Sequence, residues 1–328
     1  MSRWTLVRWG IGIVILVALV LTLDMSAIGA RLAAANLSLV VLAAAGLSSL
    51  HLLGAATWRE LMRRLVGLRL AWWPTVRLYY AAQALGGFTP ANIGSDAYRV
   101  IALRGSGEGV GNAVLPIVVQ RATSYLAVSL VGAAALIVAT RPAPFTVGVT
   151  IGALALSTVA IGLGAAIAIG SGRLRSLRER LPGPDEADRR SLLWAIAIGL
   201  GLGLVFHLAG VWLTYGLVLA VDPAAASLAA VAAVAIARVS LLIPVTPSGL
   251  GFQEAALALL FIGIGLPAES ALAASLLARL SLVLTGALGA LALLLPAAHL
   301  DAPNRPKSRH DGEIPHRRTR RPADSAHV

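Results

Sequence analysis

The chain contains no cysteine, which excludes a disulfide framework, a thiolate metal site and a thiol nucleophile. Charge is scarce as well. Only 13% of the 328 residues are Asp, Glu, Lys or Arg, against about a quarter in soluble domains. Acids number 15 against 27 bases, and Lys307 is the only lysine. Aromatic residues make up 5%. No Walker lysine motif, nucleophile elbow or zinc signature occurs, which argues against ATP-driven chemistry within this chain. What is abundant is apolar sequence: 58% of residues are hydrophobic and the mean hydropathy is +0.82. Several runs approach or exceed the roughly 20 residues that cross a bilayer as helix. The net charge of +12 sits between and beyond these runs, where it suits loops facing anionic headgroups rather than nucleic acid.

The runs predict an all-α, polytopic membrane helix bundle of about seven to eight transmembrane helices. A first span, Gly10 to Leu23, follows Arg3 and Arg8. Ala27–Ala30 resembles a cleavage site, but the many later spans favour an uncleaved first helix with its N-terminus inside. Asp24 and Arg31 fall in an external link, then Leu37 to Thr57 crosses with His51 inside it. Arg59, Arg63, Arg64 and Arg69, followed by Trp72-Trp73-Pro74, suggest a helix lying at the cytoplasmic interface. Val76 to Phe88 is apolar but short and reads as a half-span or broken helix, with crossing and re-entry both open. Asn112 to Thr140, broken by Gln120-Arg121, and Phe145 to Gly170 are further spans. The arginine-rich stretch from Arg173 to Arg190 makes an internal polar loop. Ser191 to Val221 crosses again, Asp222-Pro223 turns externally, and Ala225 to Ile243 returns. Phe252 to Leu266 is short, and a last span reaches Leu295. Residues 1–300 thus form the integral membrane domain. Residues 301–328, polar and rich in Pro and Arg, read as a disordered basic cytoplasmic tail.

Two helix-breaking stretches interrupt the apolar sequence at matching places. The first runs Thr89-Pro90-Ala91-Asn92-Ile93-Gly94-Ser95-Asp96, with Arg99 close behind. The second runs Thr246-Pro247-Ser248-Gly249-Leu250-Gly251-Phe252-Gln253-Glu254. The prolines are 157 positions apart; Asp96 and Glu254, and likewise Arg121 and Arg279, are 158 apart. This reads as an internal duplication. Non-helical backbone at membrane depth survives only when buried in protein or lining a wet cavity, and paired breaks in two repeats point to a transport site. The simpler alternative is a pair of surface loops of similar composition.

The intramembrane charges are the second signal. A central charge costs about 2.5–3.5 kcal/mol on insertion scales, so Arg121, Arg238 and Arg279 should face a partner or a cavity. Asp96 and Glu254 are candidate partners, and a lipid phosphate suits the guanidinium fork equally. Snorkelling to the interface competes with this reading, least for Arg279 and most for Arg238 and Arg99. The candidate binding set is therefore Thr89, Pro90, Asn92, Gly94, Asp96, Arg99, Arg121 and Arg238 with Thr246, Pro247, Ser248, Gly249, Gly251, Glu254 and Arg279. No catalytic residue, metal ligand or cofactor is implied. His51 and His207 lack a second ligand at helical spacing and read as interior histidines, while Gly199, Gly201 and Gly203 read as helix packing.

Pro90, Gly94, Asp96 and Arg99 match a Pro-x-x-x-Gly-x-Asp-x-x-Arg motif, and Pro247, Gly249, Gly251, Glu254 and Ala255 match Pro-x-Gly-x-Gly-x-x-Glu-Ala. In both, over about residues 5 to 297, the chain resembles the membrane region of bacterial lysylphosphatidylglycerol synthases, a flippase-like domain family. That family often has Glu-Arg where this chain has Gln120-Arg121. The resemblance implies a multi-pass protein of the bacterial inner membrane with both termini cytoplasmic. It implies the lipid-handling half without the synthesising half, since about 30 residues follow the last span. The expected activity is to bind a phospholipid or lipid-linked headgroup in a polar cavity and move it between leaflets. A membrane-embedded transferase on a lipid-linked substrate and a non-transporting partner subunit stand as alternatives. Membrane lipids are the expected partners and nucleic acid is not; a protein partner or homo-oligomer is left open.

Overall fold

A computed structural model describes residues 3–87, 89, 92–105, 109–139, 186–242, 246 and 249–295. Among these the regular structure is entirely helical: α1 (Arg3–Thr22), α2 (Met25–Ala33), α3 (Leu37–Leu65), α4 (Trp72–Gly86), α5 (Ile93–Gly105), α6 (Val110–Val138), α7 (Glu186–Val221), α8 (Leu228–Val239), α9 (Phe252–Gly263) and α10 (Ala268–Leu294). Pro90, Pro247, Ser248, the expected Phe145–Gly170 crossing and the 301–328 tail lie outside the described residues.

Local chemistry sets the boundaries. Asp24 caps α2 by accepting from the amides of Ser26 and Ala27, Asn36 caps α3 through the amide of Leu39, and Ser227 caps α8 through that of Ala230; each satisfies donors that a helix start leaves open. Helix α9 stops at Gly265, whose φ of 79° lets the amides of Leu266 and Gly265 turn back onto the carbonyls of Phe261 and Ile262.

Four described helices, α3, Val110–Val138, Arg190–Val221 and α10, are long and apolar enough to cross a membrane. The pair Trp9–Thr22 and Met25–Ala33, bent by 91°, would make a fifth. Much of their apolar surface is uncovered: Ile137 is 86% exposed and Leu294 82%. Contiguous apolar exposure on this scale belongs in lipid. The chain is a multi-pass membrane protein.

Two expectations change at this stage. Helix α3 continues unbroken from the apolar run through Arg59, Arg63 and Arg64 to Leu65, so no separate interfacial helix forms there. The three arginines have local partners that make continuation cheap. Glu60 binds both Arg63 and Arg64, and Arg59 Nε donates to the Leu70 carbonyl at 2.7 Å. The tryptophans then open α4 instead of closing an interfacial segment. Helix α6 likewise runs straight through Gln120-Arg121, because both side chains find partners outside it.

The helices order themselves between two ends. At one, Ser191 Oγ donates to the Arg64 carbonyl at 2.8 Å, and Arg77 donates to the carbonyls of Ala292, at 3.1 Å, and Leu295. This joins the end of α3, the start of α4, the start of α7 and the end of α10. At the other, the Asn36 amide donates to Ala220 O at 2.9 Å, Arg31 pairs with Asp222 at 2.9 Å, and Ser270 Oγ donates to the same carboxylate at 2.5 Å. The start of α3, the end of α7, the start of α8 and the start of α10 therefore lie together. Helices α4 and α5 leave the first end, turn inside the molecule and return to it. Helices α8 and α9 do the same from the second. Each arm has 12 to 15 residues, about 18–22 Å of helix, which is short of the ~30 Å hydrocarbon core. Each hairpin begins and ends at one end of the bundle, and α8, expected as a full span over Ala225 to Ile243, is a 12-residue arm of the second.

Each hairpin packs on its own core. Trp58, Met62, Tyr79, Tyr80 and Leu103 belong to the cluster under the first. Phe261, Leu257, Leu272 and the alanine-rich face of α8 belong to the cluster under the second. Small residues let helices approach closely: a Cβ on Gly199 would meet Thr123 and one on Gly203 would meet Ala127, so these two glycines serve the α6–α7 contact.

Candidate functional site

The first turn is built from its own side chains. Beyond Gly87, Thr89 Oγ1 donates to the Gly86 carbonyl and accepts from the Gly94 amide at 2.8 Å. Asn92 adopts a φ of 57°, a left-handed conformation that Asn tolerates better than most. Its side-chain amide donates to Gln83 Oε1 at 3.1 Å, and its carbonyl accepts from Arg121. Gly94 allows α5 to close on α4, since a Cβ there would lie 2.8 Å from the Leu85 carbonyl. The amides of Thr89 and Asn92, which leave the helix here, are thus hydrogen-bonded within the protein, as burial demands.

Asp96, in the first turn of α5, holds two arginines. Arg99 donates to Oδ1 at 2.5 Å, and Arg121 of α6 reaches Oδ2 at 2.9 Å. Arg99 is 3% exposed and lies between the rings of Trp58 and Tyr79, 5.3 and 5.2 Å from their centroids, a cation–π arrangement. Its other terminal nitrogen donates to Gln120 Oε1 at 2.9 Å, and Gln120 Nε2 donates on to the Gly54 carbonyl. A neutral amide does here what a carboxylate could not, accepting on one side and donating on the other.

The second turn has a parallel ion pair. Glu254, in the first turn of α9, is 2% exposed and receives both Arg279 Nε at 2.5 Å and a terminal nitrogen at 3.1 Å. In each half the acid meets the arginine 25 positions later. The details of the two turns differ. Gly249 and Gly251 take φ values of 69° and 77° where the first turn has Asn92. Helix α1 also presses on this turn, the Gly12 carbonyl standing 2.6 Å from where a Gly251 Cβ would be. Thr246 is 2% exposed and its hydroxyl has no partner among the described residues, whereas Thr89 closes its loop.

Arg238 stands apart. It is 9% exposed at the inner end of α8, its Nε has no partner among the described residues, and a terminal nitrogen donates to Thr214 Oγ1 at 3.5 Å. No carboxylate among the described residues pairs with it. Snorkelling, which weighed most for Arg99 and Arg238, is not what they do; these are deeply buried arginines. Distance from a helix end measures distance from water only when the helix ends at the surface, and α5 begins and α8 ends inside the molecule.

The two turns face one cavity of about 410 Å³. Gln83, Asn92 and Arg121 line it from the first half, Thr246, Gly249, Glu254 and Arg279 from the second, and Arg238, His207 and Thr214 from between. A smaller recess of about 100 Å³ continues past Asn92 and Arg121 to Arg99 and Gln120. Of the candidates read from sequence, Asn92, Arg121, Arg238, Thr246, Gly249, Glu254 and Arg279 line the main cavity and Arg99 the recess. Asp96 stands behind Arg121, Thr89 and Gly94 shape the first turn, and Gly251 seats the second against α1.

Several wall residues carried no sequence signal strong enough to select them: Gln83, Gln120, Tyr79, Ser124 and Thr214. A polar residue in an apolar run was the available clue for the glutamines; the aromatic clamp on Arg99 had none. His207 Nε2 lies 3.0 Å from Ser124 Oγ, and His51 packs among Tyr79, Tyr80 and Phe206. No group of three His, Asp or Glu among the described residues could hold a metal ion.

Fold and site together define a multi-pass helical membrane protein with a charged cavity lined by two broken hairpins. The family model described as lysylphosphatidylglycerol synthase TM region matches residues 7–289, and the chain belongs to that family. No curated protein matches the chain.

Proposed function

We propose that this protein binds the headgroup of a phospholipid or lipid-linked molecule in the shared cavity and carries it between leaflets. The observation that carries the reading is the cavity itself, which is lined by both hairpin turns and by Arg121, Arg238 and Arg279. Guanidinium groups suit phosphate, and a space of about 410 Å³ is in the range of small-molecule sites. Exposed apolar helix faces beside a polar interior give acyl chains and headgroup separate places to sit. Both carboxylates are already engaged by guanidinium groups, which favours binding over general-base chemistry.

The halves read as an inverted duplication. Adding 158 to the start of α6 gives the start of α10, and adding 159 to that of α5 gives that of α9. Helices α3 and α7 run in opposite directions between the two ends. Two such halves around a central site suit alternating access, driven by the lipid gradient or an ion gradient. Arg59, Arg63, Arg64, Arg69 and Arg77 gather at one end, which by the positive-inside rule faces the cytoplasm. The protein then resides in the bacterial inner membrane with both termini inside.

The test is headgroup accessibility in proteoliposomes holding the purified chain. Wild type should equalise a labelled phospholipid between leaflets. Movement unchanged in a protein carrying both Arg279→Ala and Glu254→Ala would overturn the site.

A further inference from the structure

The cavity wall is not electrically balanced. Among the described residues, the cavity, its recess and the ion pairs behind them hold Arg99, Arg121, Arg238 and Arg279 against Asp96 and Glu254, so four guanidinium groups and two carboxylates leave two positive charges, counting histidine as uncharged. Asp96 is shared by two arginines and Glu254 is taken by Arg279. Arg238 alone among these lacks a carboxylate in the described structure.

Its surroundings hold a cation in place without neutralising it. The guanidinium lies over Gly210 of α7, where a Cβ would come within 2.5 and 2.6 Å of its terminal nitrogen and central carbon. His207 is one turn before Gly210 on the same helix, and Thr214 about one turn after it. His207 Nδ1, Arg238 Nε and Thr246 Oγ1 are all buried with no partner among the described residues, and all three residues line the cavity. Buried polar groups are ordinarily satisfied. An uncompensated guanidinium in the same cavity wall as His207 and Thr246 suits an anionic ligand with several acceptor oxygens.

We propose that Arg238, with His207 and Thr246, forms the phosphate subsite of the cavity, and that the headgroup it takes is net anionic, a phosphodiester without a compensating cation. This rests on the lipid-binding reading above and adds the class of substrate. An aminoacylated headgroup, bearing extra positive charge, meets two carboxylates already occupied and an excess of guanidinium; like charge across a buried wall selects against it.

The test uses the full chain in phosphatidylcholine nanodiscs doped equally with phosphatidylglycerol, phosphatidylethanolamine or lysylphosphatidylglycerol, with retained lipid counted by native mass spectrometry. Wild type should retain phosphatidylglycerol at least about 10-fold over the lysyl lipid, and Arg238→Gln should lose about 10- to 100-fold of that retention, the range for a charged hydrogen bond. Stability gives a readout that a structural arginine would move the other way. Because Arg238 answers no carboxylate, Arg238→Gln should unfold no more readily than wild type. Gly210→Ala, which presses on the guanidinium without removing it, should weaken phosphatidylglycerol retention in the same direction and serves if Arg238→Gln cannot be purified.

Retention of phosphatidylglycerol equal to wild type in both variants overturns the subsite, and preference for the lysyl lipid overturns the substrate class. Calorimetry with inorganic phosphate in discs lacking phosphatidylglycerol separates the two sources of phosphate. Binding abolished by Arg238→Gln assigns the subsite to soluble phosphate and overturns the lipid assignment; its absence supports the lipid. Loss of retention in a protein that moves no lipid would keep the subsite and sink transport. Lipid movement with retention unaffected by Arg238→Gln would do the reverse.

Discussion

Removing Glu254 alone should do more harm than removing Glu254 and Arg279 together. The carboxylate is 2% exposed and accepts two hydrogen bonds from a guanidinium whose side chain is 19% exposed. Glu254→Leu removes the carboxylate that accepts from that guanidinium, and breaking a buried pair in this way costs about 3–5 kcal/mol. Replacing both members by apolar residues of similar volume, Glu254→Leu with Arg279→Met, removes the charge along with its partner, and such swaps are often neutral or stabilising. The double variant should recover most of the loss, giving a coupling of at least about 2 kcal/mol in a double-mutant cycle. Reversible unfolding in mixed detergent micelles, on wild type, both single variants and the double, supplies the four values. The three variants reconstituted for headgroup accessibility should all be inactive beside an active wild type, so that stability returns in the double variant and lipid movement does not. A coupling below about 0.5 kcal/mol, the scatter expected of independent sites, would refute the buried-pair argument. Lipid movement restored in the double variant would refute the role of the pair in binding.

Three further substitutions probe the scaffold. Gly251→Ala meets both a φ of 77° and the Gly12 carbonyl 2.6 Å away; it should cost at least the ~1–2 kcal/mol of a left-handed non-glycine residue and loosen α1, seen as lower thermal stability and faster proteolysis near the N-terminus. Asn92→Val puts a β-branched residue at a φ of 57° and removes the bond to Gln83, so it should lower the unfolding temperature while Asn92→Gly leaves it much closer to wild type. Asp222→Asn weakens the contacts to Arg31 and Ser270 that tie α2, α7 and α10 together; a loss of about 1–2 kcal/mol is expected, most of it absent in an Arg31→Met background.

Hydropathy, the two broken stretches and the arginines embedded in apolar runs were enough to call a membrane helix bundle with two interrupted segments. These are properties of composition and local backbone chemistry: an apolar run of sufficient length crosses a bilayer, and Pro or Gly beside a carboxylate stops a helix wherever it lies. The acid and arginine spacing could also be counted from the letters, and each acid does meet the arginine 25 positions on. Tertiary structure decided what those elements do together. Residues 72–105 and 228–263 could each have been a crossing or a return, and only the contacts of Arg77 with the end of α10 and of Asp222 with Arg31 and Ser270 show which end each hairpin belongs to. The burial of Arg99 and Arg238 was invisible for the same reason. A side chain near a helix terminus is near water when the terminus is at the surface, and nothing local to the sequence says that these termini point inward. The imbalance of charge across the cavity wall is more distant still from the sequence, since it depends on which four arginines and which two carboxylates the fold brings within reach of one another.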